Sequence, residues 1–236
     1  MTSTRTAASR ALVIAIDGPS GAGKGTIARA LASRLGYRHV DTGAMYRAVA
    51  WQAGHAGVDL HDEAGVAAVA ASAAFDLEQG RVSIDGHDVA RAIRTPDIDR
   101  AAAIVARHPE VRRVLVARQR AMGVGGGVVM EGRAIGTVVF PDADVKIFLD
   151  ASPEERARRR AADPAHRASA ASALADVATA LAERDRLDST RAASPLAMAA
   201  DAVHLDTTGL SIDAVVEQAL AAVEQARTRL DPGGQT

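Results

Sequence analysis

The sequence predicts an α/β fold: a parallel sheet wrapped by helices on both faces. Three observations carry that expectation. Short apolar runs alternate with segments of helical period through most of the 236 residues. The runs are continuously apolar rather than alternating, the mark of strands buried on both sides. The first run, residues 11–16, leads straight into Asp-Gly-Pro-Ser-Gly-Ala-Gly-Lys-Gly-Thr (17–26), and a 3.6-residue period begins at Lys24.

Strand, glycine loop and helix in that order make a phosphate cradle. Glycines permit a turn whose backbone N–H groups point inward, the helix N-terminus adds positive potential, and Lys24 supplies a point charge. Gly25 stands where the general pattern has Ser or Thr, and Thr26 follows it; nucleotide kinases share that variant. Lys24 and Lys146 are the only lysines among 28 basic residues, so a lysine in this loop reads as chosen for its compact ammonium. The site is expected at the protein surface. The competing reading is a glycine-rich turn that binds nothing.

Beyond the first helix, residues 37–40 read as a short strand, and a helix runs on from the 41–47 stretch to about residue 53. Residues 57–98 change character and read as a small inserted lobe, with a helix over 61–71, strands at 75–77 and 81–84, and a turn at Asp85-Gly86. Helices follow over 97–107 and 109–122, the second with Pro109 in its first turn. Residues 127–130 and 145–149 are buried strands, ending at Glu131-Gly132-Arg133 and at Asp150. Ser152-Pro153-Glu154-Glu155 opens a helix with a cap, a proline and early acids, and its end is basic. A helix over 168–186, a strand over 202–205 and a serine-capped helix over 211–229 complete the pattern. Residues 1–10 and 230–236 read as flexible tails.

Composition narrows the function. At 48% hydrophobic and 24% charged, with net charge −1, the chain has ordinary globular composition and no broad affinity for polyanions. Aromatics at 3% disfavour a stacking platform for single-stranded nucleic acid. The absence of cysteine removes disulfides, thiolate catalysis and cysteine-ligated zinc. No stretch reads as a signal peptide or spanning helix, so a cytoplasmic location is expected. The absence of asparagine rules out the Asn-Lys-x-Asp guanine reader of GTPases, and the length is short for a helicase or transport ATPase.

A small-molecule kinase remains, and it needs a second anion site. Arg47, Arg133, Arg184 and Arg191 lie at the starts or flanks of separate elements, as converging phosphate ligands should. Arg184, Asp188 and Arg191 fall on consecutive helical turns and can share one face. The competing reading is solvated surface pairs. The seven histidines show no metal-ligand spacing, Tyr46 and Trp51 read as packing residues, and Lys146 on a buried strand extends its ammonium toward the strand end.

From residue 11 to 228 the chain resembles the bacterial cytidylate (CMP) kinase family. The resemblance is carried by residues 16–26, by Asp-Thr-Gly-Ala-Met-Tyr-Arg (41–47), Ile-Arg-Thr-Pro (93–96) and His-Pro-Glu-Val-Arg (108–112), and then by Glu-Gly-Arg (131–133), Gly-Thr-Val-Val-Phe-Pro-Asp-Ala (136–143) and Glu-Arg-Asp-Arg-Leu-Asp-Ser-Thr-Arg (183–191). It implies a P-loop kinase, a three-layer sandwich with a core over 11–56 and 99–229, a nucleoside-monophosphate-binding lobe over 57–98 and a short lid at about 152–192. The implied reaction is phosphorylation of CMP and dCMP by ATP with Mg²⁺. The implied partners are those small molecules, without nucleic acid or membrane, and the implied state is a monomer.

Residue by residue, the resemblance assigns ATP to Gly18, Pro19, Ser20, Gly21, Ala22, Gly23, Lys24, Gly25 and Thr26, with Arg156, Arg159 and Arg160 closing over the phosphates. It assigns the acceptor phosphate to Arg47, Arg133 and Arg191, the ribose to Arg184 and Asp188, and the base region to Thr42 and Arg112. Lys24, Arg133 and Arg191 would carry catalysis. Asp17 and Glu131, at strand ends beside the loop, are candidates to hold Mg²⁺ through water; the alternative is hydrogen bonding to loop N–H groups. Ala103 and Ala134 depart from the family, which has serine and aspartate there, and Asp99, one turn before Ala103, is an alternative acceptor for the base. A kinase for UMP or another small acceptor, and an ATP-sensing regulator without an acceptor, are the rival readings.

Overall fold

The computed structural model describes residues 10–77, 81–163 and 174–231. In chain order its first half comprises β1 (Val13–Asp17), α1 (Lys24–Leu35), β2 (Arg38–Asp41), α2 (Thr42–His55), α3 (Glu63–Ser72), β3 (Phe75–Asp76), β4 (Ser83–Ile84), β5 (His87–Asp88), α4 (Pro96–Val105) and α5 (Pro109–Met122). Then come β6 (Val128–Gly132), a π-helical turn (Ile135–Val139), β7 (Val145–Asp150), α6 (Pro153–Ala162), α7 (Leu174–Ser189), β8 (Val203–Asp206) and α8 (Ile212–Leu230).

The main sheet runs β2-β6-β1-β7-β8, every neighbouring pair parallel. Alternation along the strands divides the core. Ile14, Ile16, Val129, Ile147 and Leu149 pack on α1 and α8, whereas Ala15, Val40, Val128 and Met130 pack with Ile135 and Val139 of the π turn and with α5. Helices therefore cover both faces, as expected. The register sets Asp17 beside Gly132 and Phe148, and Asp41 beside Glu131. Carboxylates thus gather at the C-terminal edge of the sheet, where open parallel sheets carry their sites.

The second sheet, β3-β4-β5, is an antiparallel hairpin pair. Its Val82, Ile84 and the neighbouring Val89 and Ile93 bury against Ala44, Ala48 and Trp51 of α2. Full burial of Ile84 and Ile93 contributes roughly 1.5–3 kcal/mol each, so the inserted segment is anchored to the helix that carries Arg47.

Three local features differ from the expectations. β1 starts at Val13 rather than residue 11, because Leu12 N donates to Tyr37 Oη and Val13 N to Asp144 Oδ2, side chains in place of a ladder. β5 was not anticipated; His87 and Asp88 are exposed and carry no apolar signal. The π turn was not anticipated either, and its cause is long-range: the N–H groups of Ile135 and Gly136 donate to Asp17 at 2.8 and 2.7 Å. Elsewhere the expected elements form, shifted by a residue or a few. The expected helix over 168–186 is described from Leu174 onward; residues 168–173 lie outside the described residues. Among the described residues no helix is long and apolar enough to cross a membrane. Lys146 donates to Pro141 O and pairs with Asp201 at 2.8 Å, tying β7 to the segment before β8.

Candidate active site

A single cleft of about 800 Å³ is lined at one end by residues 20–27 and at the other by Arg47, Arg133, Arg184 and Arg191. At the first end the loop conformation demands glycine. Gly18 has φ +148, and a Cβ there would fall 2.0 Å from Leu149 O, so only glycine lets the loop cross the end of β7. At Gly25 a Cβ would meet Glu131 Oε1 at 3.2 Å, which gives a local reason for glycine after the lysine. Gly23, in the left-handed region, caps α1 without any side-chain bond, leaving its N-terminus to an incoming anion.

Lys24 is buried rather than on the surface as expected, and Nζ donates to Pro19 O at 2.7 Å. Burial, and then Arg133 nearby, push its ammonium down to about 7, against the pull of Glu131 and Asp17. Gly18, Pro19 and Asp17 stand beneath the loop rather than in the cleft wall. Asp17 has both oxygens on the π-turn amides and not on N–H groups of the 18–26 loop. Burial raises its carboxyl above the usual range in spite of those two bonds. Glu131 does line the cleft, with Oε1 2.9 Å from His39 Nε2.

At the second end every expected acceptor arginine rests on a protein group. Arg133 Nε donates to Asp188 Oδ2 at 2.8 Å, and Arg191 Nη2 to Asp188 Oδ1 at 2.5 Å. Arg47 pairs with Asp41 at 3.0 Å, and Arg184 lies 3.6 Å from Asp99. Burial pushes the Asp188 carboxyl up, but Arg133, Arg191 and Arg184 together hold it below the usual range. Arg47 Nε and Arg112 Nε are buried with no hydrogen-bond partner. Arg112 otherwise reaches the carbonyls of Ala106 and Ser194, with its guanidinium over the Tyr46 ring at 5.5 Å. Thr42 Oγ1 donates to Glu131 O at 2.7 Å, joining α2 to β6 at the same spot.

The three arginines expected to close over ATP behave differently from one another. Arg156 stands outside the cleft, bonded to Ser20 O and Asp185, and so braces the outer side of the loop. Arg159 lines the cleft but is engaged by Thr207 Oγ1 at 2.8 Å, Thr207 O at 2.7 Å and Glu155. Arg160 also lines it and pairs with Asp99 across the opening. Asp99 therefore holds both Arg160 and Arg184. Ala103 and Ala134 do line the cleft.

Several lining residues escaped the sequence reading. Tyr46 was read as packing and carries Arg112 on its ring; its spacing on an amphipathic helix could not distinguish the two roles. Arg94, at the end of the inserted segment, lines the cleft with its Nε on Ala90 O at 3.2 Å. Leu210 and Ile212, both exposed, also line the cleft, and only their exposure, invisible in sequence, marks them.

The family model described as cytidylate kinase matches residues 14–225. The cytidylate kinase of Solibacter usitatus (strain Ellin6076) is 52% identical over 217 residues, which are 92% of this chain and 93% of that protein. The bifunctional pantoate ligase/cytidylate kinase of Prochlorococcus marinus (strain MIT 9303) is 50% identical over 214 residues, 89% of this chain; the chain spans only 44% of that longer relative. In fold, the chain is similar to a gluconokinase from Sinorhizobium meliloti 1021 (TM-score 0.51, 14% identity, 97% of this chain and 100% of that one).

Proposed function

The chain belongs to the cytidylate kinase family, and from that premise we propose that it transfers the γ-phosphoryl group of ATP to CMP or dCMP, giving ADP and CDP or dCDP. The observation that carries this reading is one cleft with an anion-binding helix terminus at one end and arginines from α2, the β6 end and α7 at the other. A sensor of ATP alone has no use for the second set.

An oxygen of the acceptor phosphate attacks the γ-phosphorus, and the bond to the β–γ bridging oxygen breaks. That oxygen is already ionised, so no general base is needed, and catalysis is positioning plus charge neutralisation. Lys24 and the 20–26 amides hold the donor. Arg47, Arg133 and Arg191 hold the acceptor phosphate, exchanging their carboxylate partners for phosphate oxygens. Arg184 and Asp188 take the ribose, and Thr42 and Arg112 lie toward the base. Arg159 and Arg160 cover the donor phosphates, keeping out water that would hydrolyse ATP.

A Mg²⁺ ion accompanying ATP would be held chiefly by nucleotide phosphates and water. Thr26 and Glu131 would be its protein contacts; when bound, the ion neutralises phosphate charge. The 57–98 lobe and the 152–192 lid are the parts expected to move, and a cytoplasmic monomer without nucleic-acid partners completes the reading. Product analysis tests it. ATP and CMP should give CDP and ADP in equal amounts; ADP without CDP would refute it.

A further inference from the structure

Asp99 has no task in the reaction as just described, yet its place is unusual. Thr95 caps α4, its Oγ1 accepting from Ile98 N at 3.3 Å, and the carboxylate follows in the first turn with the side chain only 13% exposed. It stands behind the cleft lining and holds two guanidiniums that belong to the lining, Arg160 from the end of α6 and Arg184 from α7, the latter at 3.6 Å. α4 packs on α2, which carries Arg47. One carboxylate on the acceptor wall thus grips an arginine of the lid and an arginine of the acceptor site together. Two like charges brought this close repel unless a carboxylate lies between them, and the effect is strong where water is scarce.

We propose that Asp99 is a positioning residue that straps Arg160 to the acceptor wall, so that this lid arginine reaches the donor phosphates in step with an occupied acceptor site. The inference rests on the phosphotransfer reading above. No substrate atom touches Asp99; it acts through Arg160. Without the carboxylate, Arg160 no longer follows α4, transfer to the acceptor slows, and water competes better for the phosphoryl group.

Asp99→Asn keeps the shape and removes the charge. ADP release is measured with and without CMP in the natural protein, D99N, R160M and the double variant, and the melting temperature of all four is measured without substrate. The expected result is that D99N lowers the ratio of CMP-stimulated to unstimulated rate by about tenfold. In the R160M background it should lower the ratio no further, and Asp99→Glu should restore part of it. The melting-temperature changes of the two single variants should be non-additive. A ratio unchanged in D99N, an equal fall in both backgrounds, or additive melting shifts would overturn the strap. No stimulation by CMP in the natural protein would overturn phosphotransfer and the coupling with it. The melting cycle needs no substrate and tells that case from a failure of the strap alone.

Discussion

At the end of the cleft proposed for the donor, the wall is mostly backbone: a glycine loop, the cap at Gly23 and one buried lysine, all within ten residues of sequence. At the end proposed for the acceptor, the wall is arginine side chains from α2, the β6 end and the end of α7, and Arg47, Arg133 and Arg191 are each held on an aspartate. The difference is one of preorganisation. Loop amides keep their orientation through φ/ψ alone, whereas long guanidinium side chains cost rotamer entropy to fix and repel each other when no anion is present. Asp188 and Asp41 solve both problems, and in the proposed reaction substrate would have to displace them.

The comparison breaks most visibly at Lys24. Lys24→Ala should lower CMP-dependent kcat/KM by about 10²–10³-fold, the scale of a lost charge-stabilising donor, while melting remains cooperative. Near-normal turnover would mean that the loop does not carry the donor.

Arg133→Met should weaken CMP about 10–100-fold, from the loss of charge-assisted bonds worth ~1.5–3 kcal/mol, and leave ATP affinity within a few-fold. Calorimetry with each nucleotide separately checks this. Equal loss on both would place Arg133 on the donor side and blur the two ends.

The acceptor end can be sharpened at its alanine wall. Ala134→Asp adds a carboxylate that accepts from the cytosine amino group and repels the O4 of uracil. The ratio of kcat/KM for CMP over UMP should rise by about 1–3 kcal/mol in free-energy terms. A ratio that does not move would show that the base lies elsewhere.

The smallest effect expected is in pH. Without ligand, Lys24 titrates near 7, and an adjacent phosphate raises that value, so ATP binding takes up a proton. Affinity should fall a few-fold, at most about tenfold, between pH 7 and 8. The proton uptake should appear as a buffer-dependent enthalpy in calorimetry. Affinity that rises over that interval would contradict the sign.

What could be read from the sequence follows the same division. The sheet, its flanking helices and the donor loop are local patterns, and they were legible because apolar period and glycine spacing are local. Arg47, Arg133, Arg184 and Arg191 were legible only as a joint set at element ends. Asp188 was legible beside Arg184 and Arg191 on one helical face, but its bond to Arg133 was not, since the two are 55 residues apart. The partners of Asp17 were illegible for a related reason: its two amide donors are 118 and 119 residues away, and no window of sequence contains them. The π turn follows from the same pair of bonds. Arg156 and Arg159 looked alike on one basic helix; packing alone sends one behind the loop and the other to Thr207.

The central claim is that one cleft takes two phosphates from opposite ends. Titration calorimetry with adenosine and cytidine joined through five phosphates tests it most directly, because such a molecule occupies both ends at once. The account predicts one equivalent bound, with an affinity well above that of ATP or CMP alone. Binding of two equivalents, or an affinity no better than that of ATP, would contradict it.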